Sequence, residues 1–226
     1  MTKAAQPKRA ARKPTPSSPK PTPRGRTSKA TPAAKRSAPP KPQGSLNNGE
    51  RLAYAGSLIR NIPNFPKKGI LFKDITPLLA DPKAFAIVID SLTEHFIADQ
   101  IDAIVGIESR GFVFGGALAA RLNTAFVPVR KPGKLPGAVD RVAYALEYGK
   151  AELEMHKNSL REGAKVLVID DLLATGGTAA AAAELVRKQG AYVTAFAFVV
   201  ELTFLDGADK LVPVPVVSLM RFGAGE

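Results

Sequence analysis

The sequence predicts an α/β protein whose mostly parallel sheet is flanked by helices, and three features of the chain support this fold class. Apolar stretches typical of strands alternate with stretches of helical spacing beyond residue 82. The stretch "KVLVID" is nearly continuous in apolar residues, as expected for a strand buried on both faces. The polar stretches "GIESRG" and "DDLLATGGT" come at the ends of two predicted strands, where ligands bind in parallel sheets.

Two helices are predicted ahead of the first strand. The first ends before Pro63 and rests on four apolar residues with the spacing of one helix face: Leu52, Ala55, Leu58 and Ile59. The second covers residues 82–98 and has Pro82 in its first turn. The stretch between them, "NIPNFPKKGILFKDITPLL", is predicted to be a loop.

Five strands and two further helices are predicted in the rest of the chain. The strands are "IDAIVGI", "AFVPVRK", "KVLVID", "YVTAFAFVVEL" and "VPVVSL". The helix "GFVFGGALAARLN" follows the first strand and closes near Asn123. The helix "TAAAAAELVRKQG" follows the third strand, with basic residues in its last turn and Gly190 beyond it. Residues 134–157 are predicted to be a long excursion from the sheet.

The net positive charge of the chain comes from its first 45 residues. The 226 residues include 32 Lys or Arg and 20 Asp or Glu, which gives a net charge of +12. Residues 1–45 hold 12 of the basic residues and no acidic residue, so residues 46–226 are formally neutral. We therefore predict a disordered basic tail over residues 1–45 and a folded domain over residues 46–226, because the tail has too little apolar surface to offset its ordering entropy.

The sequence leaves the role of the tail open between three interpretations. It can be a solubilising segment, or a segment that binds nucleic acid or another polyanion weakly and in a salt-sensitive way. It can also be an organelle transit peptide, although its many prolines and its lack of an amphipathic helix count against this.

Composition excludes several classes of site. The chain has no cysteine, so disulfides, thiolate metal sites and cysteine nucleophiles are absent, and a cytoplasmic location is expected. No apolar run reaches the length of a membrane span, so no membrane segment is expected.

The stretch "VLVIDDLLATGGT" carries the strongest functional signal. Two adjacent acids, Asp170 and Asp171, end a predicted strand, and five residues that can form a phosphate-binding turn follow: Ala174, Thr175, Gly176, Gly177 and Thr178. Backbone N–H groups and the dipole of the next helix favour a phosphate at such a turn. No Walker lysine and no G-x-G-x-x-G accompanies it. Because carboxylates accept hydrogen bonds from ribose hydroxyls, the combination predicts a ribose 5-phosphate site.

This stretch resembles the phosphoribosyl-pyrophosphate signature of type I phosphoribosyltransferases. Five further stretches make the resemblance specific to the adenine phosphoribosyltransferase family: "NFPKKGILFKDITPLL", "GIESRGFVFGGALA", "VPVRKPGKLPG", "LEYGKAELEMH" and "PVPVVSL". The resemblance covers about residues 50–222. It implies the type I phosphoribosyltransferase fold, with a small hood and a flexible catalytic loop.

The resemblance also implies a reaction, namely transfer of the 5-phosphoribosyl group from phosphoribosyl pyrophosphate to adenine, which gives AMP and pyrophosphate in purine salvage. It implies Mg²⁺ as cofactor and a homodimer as assembly. No group of Asp, Glu and His has metal-ligand spacing, so Mg²⁺ is expected to be held mainly through substrate phosphates and water.

Three catalytic residues are implied by the resemblance. Glu147 is the expected acid or base near the purine imidazole, and Tyr148 is expected to seal the site. Both lie in the flexible loop, about residues 134–150, whose closure excludes water. Arg110 matches the ligand-contacting arginine of the family.

The remaining expected contacts are with the base and the pyrophosphate. Phe72 is expected to stack on the purine, while backbone groups of Leu71 and Lys73 read the adenine edge. The cations expected to stabilise the negative charge on the leaving pyrophosphate lie in the loop "RKPGKLPG" and are Arg130, Lys131 and Lys134.

Two alternative functions remain open from the sequence. The chain can be a phosphoribosyltransferase for another purine base, such as xanthine or hypoxanthine. It can also be a purine-responsive regulator that keeps this fold and binds nucleic acid, although residues 1–45 lack the apolar periodicity of a folded DNA-binding domain.

Overall fold

The computed structural model describes residues 47–145 and 150–226. The predicted tail over residues 1–45 lies outside the described residues, so its disorder and the domain boundary behind it stay predictions. The helices are, in chain order, α1 (Asn48–Ser57), α2 (Thr76–Ala80), α3 (Pro82–Phe96), α4 (Arg110–Leu122) and α5 (Gly177–Lys188). The strands are β1 (Arg60–Pro63), β2 (Leu71–Asp74), β3 (Ala103–Ile107), β4 (Ala125–Val129), β5 (Val139–Ala145), β6 (Lys150–His156), β7 (Lys165–Leu173), β8 (Tyr192–Leu202) and β9 (Val216–Phe222).

A five-stranded parallel sheet forms the centre of the domain, in the order β4-β3-β7-β8-β9. Strands β3, β7 and β8 therefore lie inside the sheet with neighbours on both sides. All five strands were predicted from their apolar patterns, and the predicted α/β class with a mostly parallel sheet is confirmed.

Both faces of the sheet are covered, and the alternation of side chains along each strand assigns them to one face or the other. On β7, Val166 and Val168 pack into the cluster that contains α5, whereas Leu167 and Ile169 pack into the cluster that contains α3 and α4. All four are fully buried. This explains why the sequence of β7 is continuously apolar before its acids.

Local signals determine where the helices begin and end. Asp81 caps α3 by accepting a hydrogen bond of 2.7 Å from the Ala84 N–H, and Pro82 occupies the first helical position. Asn123 follows the last residue of helix α4 and caps it, with a left-handed φ of 52°. Helix α5 packs closely on the sheet because its buried face consists largely of alanine.

Two antiparallel strand pairs lie outside the central sheet, and the sequence pattern did not predict either. Strands β1 and β2 pair within the stretch predicted to be a loop. Strands β5 and β6 pair over most of the predicted excursion, residues 134–157, with Val139 opposite His156 and Ala145 opposite Lys150. Residues 146–149, between β5 and β6, lie outside the described residues. None of the helices in the described part of the chain is long and apolar enough to cross a membrane.

Candidate active site

The candidate active site lies where β3 and β7 end and where α4 and α5 begin. Two cavities meet there. The first has a volume of about 190 Å³ and is lined by Arg110, Phe198 and residues 170–179. The second has a volume of about 380 Å³ and is lined on its outer side by Glu108, Lys131 and Tyr144. Four residues line both cavities and so form their junction: Arg110, Asp170, Asp171 and Thr178.

The two acids at the junction lie within β7 and not beyond its end. The sequence predicted a strand that stops at the acids, but β7 continues to Leu173 because Leu172 and Leu173 still pair with β8. The Asp171 N–H donates a 2.8 Å hydrogen bond to Asp170 Oδ1, which ties the two residues together. Asp171 is buried, with 4% of its surface exposed, and Asp170 is half-buried.

Both carboxyl groups have raised pKa values in the absence of a ligand. Burial and the adjacent charge of Asp171 raise the pKa of Asp170 well above its usual value. Burial also raises the pKa of Asp171, although the Arg110 guanidinium opposes the shift. The folded protein therefore holds these charges at an electrostatic cost.

Arg110 connects the acids to the segment predicted to bind the base. Its Nε lies 3.0 Å from Asp171 Oδ2, and its guanidinium carbon lies 5.6 Å from the centre of the Phe72 ring. Asp171 Oδ2 is buried, and apart from this ion pair it accepts no hydrogen bond from the described residues. A ligand hydroxyl at the junction could supply the missing donor.

The turn between β7 and α5 requires two glycines that face each other. Gly176 has a φ of 75°, in the left-handed region, and precedes the first residue of α5. Gly207 lies against it, and a Cβ on either glycine would collide with the backbone of the opposite segment. Thr178 lies in the first turn of α5, where its Oγ1 donates a 3.3 Å hydrogen bond to Tyr144 Oη. The predicted phosphate-binding residues, 174–178, are thus brought together at a helix N-terminus.

The predicted base-binding segment is strand β2. The Phe72 ring meets the Phe65 ring edge-on at 5.1 Å between centroids. The Lys73 side chain is buried and engaged elsewhere, since its Nζ donates to Asn61 Oδ1 at 2.8 Å and to the Glu226 carbonyl. Burial lowers the pKa of Lys73. The Lys73 side chain is therefore engaged within the protein, and the base contacts expected of Leu71, Phe72 and the Lys73 backbone stay predictions.

The three cations predicted for the pyrophosphate lie in different surroundings. Arg130 donates to both carboxylate oxygens of Glu108, at 3.2 and 3.4 Å, and to the Lys134 carbonyl at 3.1 Å. The Lys131 N–H donates to Glu108 Oε2 at 2.9 Å, while Lys131 lines the second cavity. Arg130 and Lys134 do not line the cavities described above. Arg130 is thus held by Glu108, and of these three cations Lys131 is the one that lines the second cavity.

Glu108 is the acid that orders this loop. Burial alone would raise the pKa of Glu108, but the Lys131 N–H and the Arg130 guanidinium together lower it below its usual value. Glu108 therefore stays ionised beside the second cavity and fixes the direction of the loop that carries Lys131.

Three residues of the site were missed by reasoning from the sequence: Glu108, Tyr144 and Gly207. A signal existed for Glu108, which lies in the polar stretch after β3. Tyr144 lies 34 residues along the chain from Thr178, which it contacts. Gly207 lies 31 residues from Gly176, which it contacts. Glu147 and Tyr148, which were predicted to be catalytic, lie outside the described residues.

Metal binding by the protein alone is not indicated by the described residues. Over 47–145 and 150–226 no group of three or more His, Cys, Asp or Glu could hold a metal ion. Asp170 and Asp171 offer two carboxylates, and Mg²⁺ takes one or two of these when substrate phosphates and water complete its coordination. The donor set therefore fits a Mg²⁺ ion that arrives with a phosphorylated substrate.

Comparison with known proteins places the chain in a family. The model of the phosphoribosyl transferase domain matches residues 76–214. The adenine phosphoribosyltransferase of Sorangium cellulosum is 63% identical over 187 residues, which cover 80% of this chain and 94% of that protein. The chain belongs to the adenine phosphoribosyltransferase family. The family model spans four of the five strands of the central sheet and all of the turn between β7 and α5.

Solved structures of the family share the fold of this chain. Adenine phosphoribosyltransferase from Thermoanaerobacter pseudethanolicus is 51% identical, covers 76% of this chain and 99% of its own, and has a TM-score of 0.74. The Saccharomyces cerevisiae enzyme, complexed with an imino-altritol bisphosphate and adenine, is 44% identical, with coverage of 76% and 99% and a TM-score of 0.72. The type I phosphoribosyltransferase fold is thereby confirmed.

The raised pKa of Asp170 predicts that Asp170→Asn stabilises the free protein at neutral pH. A folded-state pKa above the unfolded value means that stability falls as pH rises from the usual carboxyl pKa through the raised one. Asparagine keeps the hydrogen bond from the Asp171 N–H and removes that loss. We expect the free energy of unfolding to rise at neutral pH on the order of 1 kcal/mol, and to change less near the usual carboxyl pKa. Urea denaturation at both pH values measures it.

Asp74→Asn is the matched control, because the pKa of Asp74 is lowered to about 2 by Thr76 and Arg60. Its ionised form stabilises the fold above the usual carboxyl pKa, and this stabilisation is lost as pH falls through the lowered value. Asp74→Asn should therefore destabilise the protein at neutral pH. If Asp170→Asn destabilises it to the same extent, the charge of Asp170 is not a cost to the free protein.

Proposed function

We propose that this chain transfers the 5-phosphoribosyl group from phosphoribosyl pyrophosphate to adenine and releases AMP and pyrophosphate. The observation that carries this proposal is the junction of the two cavities at Asp170, Asp171 and Arg110. On one side of the junction lies a helix N-terminus suited to a phosphate, and on the other side lies a cationic loop. The donor molecule has a phosphate at one end of its ribose and a pyrophosphate at the other, so it matches this order of groups.

The first cavity is proposed to hold the ribose 5-phosphate part of the donor. Backbone N–H groups of residues 174–178 and the positive end of the α5 dipole would bind the phosphate. The ribose hydroxyls would donate to Asp170 and Asp171, and Asp171 Oδ2 has no other hydrogen-bond donor among the described residues. Hydrogen bonds to the ionised carboxylates would lower both raised pKa values.

The second cavity is proposed to hold the pyrophosphate. Lys131 lines it and would stabilise the negative charge that develops as the glycosidic C1–O bond breaks. Arg130, which Glu108 holds beside the cavity, is proposed to contribute its charge to pyrophosphate binding. Lys134, whose carbonyl accepts from Arg130, is proposed to contribute its charge from the same loop.

The base is proposed to lie beside β2. Phe72 would stack on the purine, with backbone groups of Leu71 and Lys73 on its edge, and Arg110 links this position to the junction through its contact with Phe72. The yeast relative was solved with adenine and a bisphosphate. The choice of adenine over other purines rests on this likeness and on the relatives' names.

Catalysis is proposed to be chiefly electrostatic. The C1–O bond to pyrophosphate breaks as the C1–N9 bond to adenine forms, and positive charge develops on the ribose in the transition state. The ionised acids of β7 lie beside the ribose and would stabilise that charge. Glu147 is proposed to receive the proton that N9 loses, with Tyr148 closing over the site. Mg²⁺ is proposed to bind with the donor, held by its phosphates and by Asp170 or Asp171, where it would neutralise phosphate charge.

The assay that tests the proposal compares purine bases. With phosphoribosyl pyrophosphate and Mg²⁺, adenine should yield AMP and pyrophosphate, while hypoxanthine, xanthine and guanine should give a far lower kcat/KM. Removal of Mg²⁺ with a chelator should abolish turnover, and added Mg²⁺ should restore it. Product analysis by chromatography measures both results.

Two outcomes of this assay would contradict the proposal. A higher kcat/KM with hypoxanthine, xanthine or guanine would make the chain a phosphoribosyltransferase for another base. Turnover of no base, together with binding of purine and nucleic acid, would favour the alternative of a regulator.

A homodimer and an accessory role for the tail are also proposed. The outer face of α4 is small and apolar: Val113 is 43% exposed and a Cβ on Gly116 would meet open space, so a second chain could approach closely there. The 12 basic residues of the tail suit weak polyanion binding. A cytoplasmic location is proposed from the lack of cysteine, and cell fractionation would test it.

Deletion of residues 1–45 separates these proposals. Sedimentation velocity should show dimers for the full chain and for the shortened chain, with equal adenine turnover. Only the full chain should bind heparin, with an affinity that falls as salt rises, because the counterions released by the tail drive binding. Monomers in both preparations would contradict the dimer. Equal heparin binding by both chains would contradict the role of the tail.

A further inference from the structure

The hydroxyl of Tyr144 lies in the candidate active site, and none of the roles described above uses it. Tyr144 lies near the end of β5, and its ring packs against the apolar cluster that covers the α5 face of the sheet. Its Oη accepts a hydrogen bond of 3.3 Å from Thr178 Oγ1. Thr178 also lines both cavities, at the N-terminus of α5. The phenol therefore contacts the turn proposed to bind phosphate.

Both groups in this bond are hydroxyls, which can donate or accept, and this determines how the bond can respond when a phosphate binds. A phosphate has only acceptor oxygens towards such a turn, so Thr178 Oγ1 must donate to it and cannot go on donating to Tyr144. A phenol hydroxyl both donates and accepts, and Tyr144 can then reverse its role and donate to Thr178 Oγ1. The result is a chain of donors that runs from Tyr144 to Thr178 to the phosphate, in which each bond polarises the next.

We propose that Tyr144 is a positioning residue of the donor site, whose hydroxyl directs the hydroxyl of Thr178 towards the 5-phosphate of the donor. This inference rests on the proposed function, because it takes a 5-phosphate as the ligand of the turn. It concerns the phosphate end of the donor first, because the Tyr144 hydroxyl contacts Thr178 of that turn, although Tyr144 also lines the second cavity.

The bond between Thr178 and Tyr144 also links one end of α5 to the β5–β6 pair, so the positioning role of Tyr144 has to be separated from a structural one. At the other end of α5, Lys188 Nζ donates to the Arg141 carbonyl at 2.7 Å, and Gln189 Nε2 donates to Asp140 Oδ2 at 3.3 Å. A loosened strand pair would result from loss of either link. Only loss of the Tyr144 hydroxyl would change the donors of the phosphate turn.

The test measures binding of ribose 5-phosphate and of pyrophosphate with Mg²⁺ by calorimetry, together with steady-state kinetics. For Tyr144→Phe we expect the Kd of ribose 5-phosphate and the KM of the donor to rise about three- to ten-fold, the effect of one hydrogen bond. The Kd of pyrophosphate should rise less than that of ribose 5-phosphate, since Tyr144 lines the second cavity but its hydroxyl bonds to the phosphate turn, and the KM of adenine and kcat should stay unchanged. In a Thr178→Ala background, Tyr144→Phe should have no further effect, because the two hydroxyls act in series.

Two control variants match the test. Tyr192→Phe removes a phenol hydroxyl from an exposed tyrosine outside the site, and Lys188→Met removes one of the hydrogen bonds at the far end of α5. Both should bind ribose 5-phosphate as the unaltered protein does. If Lys188→Met weakens this binding as much as Tyr144→Phe does, attachment of the strand pair explains the effect and the proposal is wrong.

Other outcomes overturn the proposal directly. An unchanged Kd of ribose 5-phosphate in Tyr144→Phe, an equal rise in the Kd of pyrophosphate, or a full additional effect in the Thr178→Ala background would each contradict it. If the unaltered protein binds no ribose 5-phosphate, the phosphate turn is misassigned and the proposal is overturned with it. If it binds ribose 5-phosphate but forms no AMP, the proposed function fails, while the binding test of Tyr144 remains decisive.

Discussion

Two adjacent carboxyl groups within a central strand are the constraint on which the rest of the site depends. Asp170 and Asp171 lie on β7, between β3 and β8, and their backbone is fixed by the ladder of the sheet. The nearest positive charge is the Arg110 guanidinium, 3.0 Å from Asp171. Because burial raises both pKa values, and the charge of Asp171 raises that of Asp170 further, the free protein carries this pair at a cost. Active sites commonly give up stability in this way for binding.

The neighbouring backbone is shaped by its approach to these acids. A Cβ on Gly111 would lie 2.8 Å from the Ile169 carbonyl and 3.0 Å from Asp170 Oδ1. The first turn of α4 can therefore pack against β7 only because residue 111 is a glycine. Where the turn into α5 begins, the backbones at Gly176 and Gly207 also approach each other closely because neither residue has a Cβ. Helices α4 and α5 therefore both present their N-termini to one small volume, where positive dipole ends favour anionic groups. Arg110 adds its charge and extends the site towards Phe72.

The sequence predicts the sheet well because its inner strands β3, β7 and β8 bury side chains on both faces. The patterns of "IDAIVGI" and "YVTAFAFVVEL" therefore stand out without knowledge of their partners. The pairs β1–β2 and β5–β6 are only partly buried and mix polar with apolar residues, so they read as loops. The end of β7 was misjudged for a related reason. Asp170 and Asp171 resemble a strand end, and only the pairing of Leu172 and Leu173 with β8 extends the strand.

Site residues were predictable where one stretch of chain holds them together. The turn over residues 174–178 and the two acids before it form a site within nine residues, and their chemistry indicates ribose and phosphate directly. Pairings between distant segments were not predictable. The bond between Tyr144 and Thr178 and the close approach of Gly207 to Gly176 depend on how the sheet and helices assemble. The engagement of Arg130 with Glu108, 22 residues away, likewise depends on that assembly.

The central claim is that the donor relieves the charge cost of the acids on β7. Calorimetry of phosphoribosyl pyrophosphate binding with Mg²⁺, repeated in buffers of different ionisation enthalpy, counts the protons released on binding. Because donor hydroxyls and Mg²⁺ favour the ionised carboxylates, the unaltered protein should release more protons than Asp170→Asn does, most strongly between the usual and the raised pKa of Asp170. Equal proton release by the two proteins across that range would contradict the claim.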